Sequence, residues 1–131
     1  MRRFCFLCLL IFAGLSLANS RAQDKAPLRL VKTIPMPNVE GRIDHMAVDL
    51  AHQRLYVAAL VNNTLEVLDL SAGRVSQTVT GLKEPQGVVF NPETGILYVT
   101  AGGDGKCYAY SGDPLTRKAE VDAGEDADNI R

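Results

Sequence analysis

The sequence contains an internal repeat of 42 residues, and this repeat sharply limits the folds open to the chain. Residues 54–59 (RLYVAA) recur as residues 96–101 (ILYVTA), a spacing of 42 positions. Alignment at this offset needs no gap from position 44 to position 69. Repeat periods of about 20–50 residues are typical of solenoids, propellers and arrays. The offset divides the chain into repeats at 44–85 and 86–127, with a third repeat starting at 128.

Each repeat holds short runs of β-forming residues separated by turn signals. Runs of this kind occupy residues 46–48, 65–70 and 75–80, and a further run lies at 97–101. Glycines such as Gly73 and Gly95 end turn-type segments, where a positive φ is expected. No helix-length segment with a 3.6-residue period intervenes. Because four short strands per repeat of this length make one propeller blade, the sequence predicts an all-β fold with blades of four antiparallel strands.

The repeats resemble those of the YVTN-type β-propeller family, whose fold is related to the haem d1 domain superfamily. The resemblance rests on residues 97–100 (LYVT) followed by 102–105 (GGDG), and on residues 44–49 (DHMAVD) and 62–69 (NNTLEVLD). It implies an exported bacterial protein with a ring of seven blades. Seven blades need about 290 residues at this period. We therefore expect two blades, a preceding strand at 28–34 and the start of a third blade, which together form the N-terminal portion of such a propeller.

The N-terminus has the organisation of a signal peptide. Met1-Arg2-Arg3 is followed by an apolar run at residues 4–17 and by small and polar residues up to Ala22. The run is shorter than the roughly 20 residues that a membrane-spanning helix needs. We predict that residues 1–22 are removed and that the mature chain, 23–131, is periplasmic or extracellular with no transmembrane segment.

Charge and cysteine content narrow the possible partners and chemistry. The chain has 14 basic and 15 acidic residues, and removal of residues 1–22 leaves 11 basic residues against all 15 acidic ones. A net negative chain without a basic cluster argues against nucleic acid as a partner. Cys107 is the one cysteine left after cleavage, so the mature chain forms no internal disulfide. We predict that Cys107 is buried and inert, and that Tyr108 and Tyr110 pack between blades.

The polar residues that begin each repeat are the candidate ligand site. In a propeller, the first strand of each blade lines the central channel, and the loop before this strand lies at the channel mouth. These loops should converge because they occupy equivalent positions in neighbouring blades. They could form a ligand or cation site, or they could only hydrate the channel. The candidate residues are Asp44, His45, Gln86, Asp128 and Asn129.

No catalytic motif, metal-ligand motif or cofactor signature is present. The 102–105 segment opens no helix, so we interpret it as a hairpin turn and not as a phosphate loop. His52 is predicted to be a solvated loop residue. The sequence favours a non-catalytic binding or scaffold module for an unknown small molecule or protein. By analogy of fold alone, a lactonase-type hydrolase and a haem d1-handling propeller, with His45 near the tetrapyrrole, remain alternatives.

Overall fold

A computed structural model describes residues 28–130 of the protein. The predicted signal peptide, residues 1–22, lies outside the described residues. The chain divides into two units, Met1–Leu30 and Val31–Arg131. Residues 28–30 are the described part of the first unit and form no regular secondary structure. Within residues 28–130, no helix has the length and apolar character needed to cross a bilayer.

The second unit contains two antiparallel sheets of four strands, and this confirms the predicted all-β fold. Blade 1 is formed, in this order, by β1 (Met46–Asp49), β2 (Arg54–Ala59), β3 (Thr64–Asp69) and β4 (Arg74–Val79). Blade 2 is formed, in this order, by β5 (Pro85–Asn91), β6 (Ile96–Ala101), β7 (Lys106–Ser111) and β8 (Thr116–Asp122). Each strand pairs with the next along the chain, which is the arrangement of a propeller blade.

The two blades share much of their backbone, although the turn between the third and fourth strands differs: Gly73 has a positive φ and its counterpart Leu115 does not. A bulge interrupts the pairing of the third and fourth strands between Val67 and Leu68 in blade 1, and between Ala109 and Tyr110 in blade 2. Positive φ angles recur at the same 42-residue spacing. The pairs are Gln53 (51°) and Gly95 (67°), Asn63 (58°) and Gly105 (66°), and Glu84 (51°) and Asp126 (51°). The predicted positive φ is confirmed at Gly95 and also at Gly73, where it is 70°.

The hydrophobic core lies between the blades. Blade 1 contributes residues such as Tyr56 and Leu65, and blade 2 contributes Leu97, Val99 and Tyr108, all 3% exposed or less. The rings of Tyr56 and Phe90 meet with centroids 5.6 Å apart. Tyr110 is also part of this core, so the prediction that Tyr108 and Tyr110 pack between blades is confirmed.

Polar contacts also cross this interface. Gln77 Nε2 donates a hydrogen bond to Leu115 O at 2.9 Å, and Leu115 N donates to Gln77 Oε1 at 2.8 Å. The amide side chain on β4 therefore holds both backbone groups of a residue in the turn between β7 and β8. Arg54 and Asp113 form an ion pair between the same two blades.

Two predictions about individual segments are wrong. The strand expected at 28–34 is absent: residues 28–36 form no strand, and Val31 is 84% exposed. A strand needs a hydrogen-bonded neighbour, and no described strand pairs with this segment. Cys107 is half-buried and not buried, since no described blade covers its side of blade 2. Its partial burial raises the pKa of the thiol, which favours the less reactive protonated form.

Candidate functional site

Backbone hydrogen bonds fix the residues that begin the first repeat. Asp44 N donates to Ala58 O at 2.8 Å, and Ala58 N donates to His45 O at 3.0 Å, so this segment continues the ladder between β1 and β2. His45 N donates to Gln86 O at 3.3 Å. The start of the first repeat is thereby joined directly to the start of the second.

Thr100 joins the start of the second repeat to the start of the third. Its Oγ1 accepts a hydrogen bond from Gly87 N at 3.0 Å and donates to Asp128 O at 3.3 Å. A Cβ atom on Gly87 would lie 2.9 Å from Asp128 O, so the missing side chain permits this approach. Thr100 was not among the predicted site residues. The sequence does show that blade 2 has a hydroxyl side chain, Thr100, where the equivalent position of blade 1 has Ala58.

These links bring three of the five predicted site residues together. Asp44, His45 and Asp128 each offer one ligand atom, and the three atoms lie within 4.8 Å of one another. The side chain of Asp44 is 13% exposed, that of His45 is 41% exposed, and Asp128 is exposed. We call this group the Asp–His–Asp cluster. It combines side chains that are 84 positions apart in the sequence, from the first and the third repeat.

The cluster is rich in acceptor atoms and has little compensating charge. Arg42 Nη2 donates to Asp44 Oδ2 at 2.6 Å, which leaves Asp44 Oδ1 facing the cluster. His45 Nδ1 lies 3.1 Å from Asp44 Oδ1, yet it is buried and has no hydrogen-bond partner among residues 28–130. Among the described residues, Arg42 therefore pairs with Asp44 and not with Asp128, and the ring nitrogen beside them has an unused bonding position.

The other two predicted site residues have different surroundings. Gln86 is not in a loop but in β5, because Pro85 already pairs with Ala101 and a bulge follows. The side-chain amide nitrogen of Gln86 lies against Gly102. Asn129 is exposed. The structure thus brings side chains of the first and third repeats together, whereas the second repeat contributes backbone atoms.

His52 is exposed as predicted, but it is also anchored. Its side chain is 67% exposed, and its Nδ1 lies 2.7 Å from Oδ2 of the buried Asp49. Asp49 Oδ1 accepts a hydrogen bond from His52 N at 3.1 Å. Burial alone would raise the pKa of Asp49, but the hydrogen bonds from His52 outweigh it and hold this pKa below its usual value. Asn91 Oδ1 accepts the equivalent backbone hydrogen bond from Thr94 N at 3.3 Å in blade 2, so we interpret the Asp49–His52 pair as a turn cap.

An acidic cavity lies beside the predicted hairpin turn at 102–105, which the structure confirms as a turn. The cavity has a volume of about 450 Å³, and its acidic lining residues are Asp104, Asp122, Glu125 and Asp126. Tyr108 Oη donates to Asp104 Oδ2 at 2.7 Å, while Asp104 Oδ1 is buried without a partner among the described residues. This end of the molecule therefore carries a concentration of negative charge.

Comparison with solved structures supports the propeller fold. The chain is similar to Kuenenia stuttgartiensis hydrazine synthase, with a TM-score of 0.61 and 13% identity over 75% of this chain and 27% of that one. It is also similar to apo AztD from Citrobacter koseri, with a TM-score of 0.58 and 21% identity over 73% of this chain and 27% of that one. Both neighbours are β-propeller proteins.

The chain spans about a quarter of the length of each of these two neighbours, at 27% in both cases. At this level of identity the similarity establishes the fold and carries nothing about ligands. No protein-family model matches the chain, and no curated protein sequence matches it.

Proposed function

We propose that the chain is the N-terminal portion of an exported, seven-bladed propeller of the YVTN type that acts as a non-catalytic binding module. Its ligand site is the Asp–His–Asp cluster at the mouth of the central channel. The observation that carries this proposal is the convergence of Asp44, His45 and Asp128, whose ligand atoms lie within 4.8 Å of one another. Backbone hydrogen bonds of Asp44 and His45, together with the hydrogen bond from the Thr100 hydroxyl to Asp128 O, hold these residues from repeats 84 positions apart.

Two lines of observation support assignment to the YVTN type. The sequence repeats its LYV-containing run and the turn after it at a spacing of 42 residues. The second, third and fourth strands begin at the same spacing, and the bulge between the third and fourth strands follows it too. Blades repeated around a channel place equivalent residues side by side at its mouth. The sequence resemblance and the arrangement of the blades therefore both favour a ligand site at the channel mouth.

Binding fits the chemistry of the cluster better than catalysis. The cluster offers two carboxylates and an imidazole, which are ligands for a polar or cationic group. Covalent catalysis by a thiol instead needs the sulfur within hydrogen-bond reach of a base. Cys107, the thiol among residues 28–130, lies on β7 and is not part of the cluster.

A ligand screen tests the binding function. We would measure thermal shifts of the full chain with a panel of organic cations, carboxylates, sugars and divalent metal ions. A ligand of this site should stabilise the wild type and the exposed-surface control Glu93→Ala, but should leave Asp44→Ala unshifted. Mass spectrometry should recover the ligand unchanged. Equal shifts in all three proteins, or no ligand in the panel, would contradict the proposal.

We also propose that the protein is exported and that its mature form begins near Gln23. The support is the basic start, the apolar run at 4–17 and the small residues before Gln23. N-terminal sequencing of the protein recovered from the periplasm or the medium should read from about this residue. An intact Met1, or acylation at Cys8, would rule out this form of export.

A further inference from the structure

We infer that the Asp–His–Asp cluster binds one divalent transition-metal cation of the zinc class. This inference rests on the proposed function, because it names the class of ligand for the same site. Zinc is bound in proteins by imidazole nitrogen and carboxylate oxygen at about 2.0–2.2 Å. His45 offers the imidazole, and Asp44 and Asp128 offer the carboxylates.

The spacing of the three ligand atoms suits such an ion. Two atoms that are each about 2.1 Å from one metal ion lie between about 3 and 4 Å apart, depending on the angle. The ligand atoms of the cluster already lie within 4.8 Å of one another. Rotation of the His45 and Asp128 side chains, the two more exposed members of the cluster, would bring the three atoms into contact with a shared ion. Three protein ligands would leave a coordination position open for water or a further ligand.

One ring nitrogen of His45 is shielded from solvent within the cluster, while the His45 side chain as a whole is 41% exposed. His45 Nδ1 has no hydrogen-bond partner among residues 28–130, although it is buried and lies 3.1 Å from Asp44 Oδ1. Buried polar atoms are nearly always hydrogen-bonded or bound to an ion. A cation placed among Nδ1, Asp44 Oδ1 and Asp128 would satisfy the nitrogen. It would also balance the second carboxylate, since Arg42 pairs with one oxygen of Asp44.

The backbone holds two parts of this site in place before any ion binds. Asp44 and His45 are fixed by their hydrogen bonds with Ala58, and Asp128 is fixed through its carbonyl by Thr100. A metal ion would therefore link the start of the first repeat to the start of the third. Such a link should stabilise the folded chain, because binding to the folded state alone shifts the unfolding equilibrium.

Isothermal titration of Zn²⁺ into the tag-free full chain tests the inference. The key comparison is between His45→Gln and the matched control His52→Gln, since His45 and His52 are the only two histidines in the chain. Replacing residues that merely support a metal ligand lowers affinity about 10–100-fold. We therefore expect one Zn²⁺ per chain, at least tenfold weaker binding in His45→Gln and Asp128→Asn, and unchanged binding in His52→Gln.

Metal selectivity and thermal stability provide two further tests. Ca²⁺ prefers six to eight oxygen ligands, so it should bind much more weakly than Zn²⁺. The variants should melt at the same temperature as the wild type in EDTA and should lose only the stabilisation by Zn²⁺. Absent Zn²⁺ binding, or equal binding by the His45 and His52 variants, would overturn the inference. If an organic ligand in EDTA still depended on Asp44, the proposed binding function would stand without the metal.

Discussion

Blades 1 and 2 share much of one backbone but place different side chains in it. Their second and third strands begin 42 positions apart, at 54 and 96 and at 64 and 106, and both blades carry the same bulge. Leu65 in β3 is fully buried against blade 2, whereas its counterpart Cys107 in β7 is half-buried. The difference shows that the β-pattern and turn chemistry determine the backbone of a blade, while burial depends on whether a neighbouring blade covers that face.

A second pair of equivalent positions shows how a blade buries a polar group. Glu66 in blade 1 is 2% exposed and accepts hydrogen bonds from the Thr64 and Thr78 hydroxyls, each at 2.6 Å. Tyr108 in blade 2 is 3% exposed and donates to Asp104. Each buried polar group has a partner from its own blade, as buried polar groups require. Each side chain can be buried because its own blade supplies suitable hydrogen-bond partners: hydroxyls for Glu66 and a carboxylate for Tyr108.

The largest expected effect comes from Leu65 and its counterpart. Leu65→Ala should lower the free energy of unfolding by about 2–5 kcal/mol, because it leaves a cavity in the core between the blades. Cys107→Ala removes a half-buried sulfur from a side without a described neighbour and should cost about 1 kcal/mol or less. Chemical denaturation of both variants at one protein concentration measures the difference. Similar losses would show that both faces of blade 2 are equally packed.

The polar contact between the blades should contribute less than the apolar core. Gln77→Ala leaves Leu115 N and Leu115 O without their partners and should cost about 1–3 kcal/mol. Ser76→Ala is the matched control on the same strand, because the Ser76 hydroxyl donates to Val67 O within blade 1. That variant should cost about 0.5–1.5 kcal/mol. If Gln77→Ala cost no more than Ser76→Ala in denaturant unfolding, the contact would not help to hold the blades together.

Exchanging residues at one turn position tests whether equivalent turns of the two blades tolerate the same side chain. Gly95 and Gln53 occupy equivalent turns with φ of 67° and 51°. Gly95→Gln should cost about 1 kcal/mol, because a side chain is disfavoured in the left-handed region. The reverse change, Gln53→Gly, should be nearly neutral, since relief of this strain is offset by greater freedom of the unfolded chain. Thermal unfolding of both variants tests this. Stabilisation by Gly95→Gln would show that the turn does not strain a side chain.

Much of this fold could be predicted from the sequence, because its information is local and repeated. The four β-forming runs identified at 46–48, 65–70, 75–80 and 97–101 match β1, β3, β4 and β6 to within about one residue at each end. The wrong predictions concern neighbours. Residues 28–34 were expected to pair with a strand, Gln86 was expected to precede one, and Cys107 was expected to be covered. Whether a segment is paired or covered depends on elements far away in the sequence, which a local pattern does not contain.

The same distinction applies to the candidate site. The 42-residue offset predicts that Asp44, His45 and Asp128 come together, because repeats around an axis place equivalent residues side by side. The offset does not reveal the link through Thr100 or the pairing of Arg42 with Asp44. Those contacts depend on side-chain conformations that differ from one repeat to the next, so they become visible only in three dimensions.

The smallest effect at neutral pH, and the most specific, concerns the ionisation of Tyr108. Burial raises the pKa of Tyr108, and its hydrogen bond to Asp104 raises this pKa further. A tyrosine in the unfolded chain titrates near about pH 10. Because the folded state holds the proton more tightly, the contribution to stability is complete below that pH and is lost as the pH rises above it. The free energy of unfolding should therefore fall between about pH 10 and pH 12, and Tyr108→Phe should fall less steeply. Asp104→Asn, which keeps the burial but removes the carboxylate, should give an intermediate slope. If the free energy of unfolding fell equally with pH in the wild type and in Tyr108→Phe, the protonated phenol would not contribute to the stability of blade 2. The equivalent position in blade 1 holds Glu66.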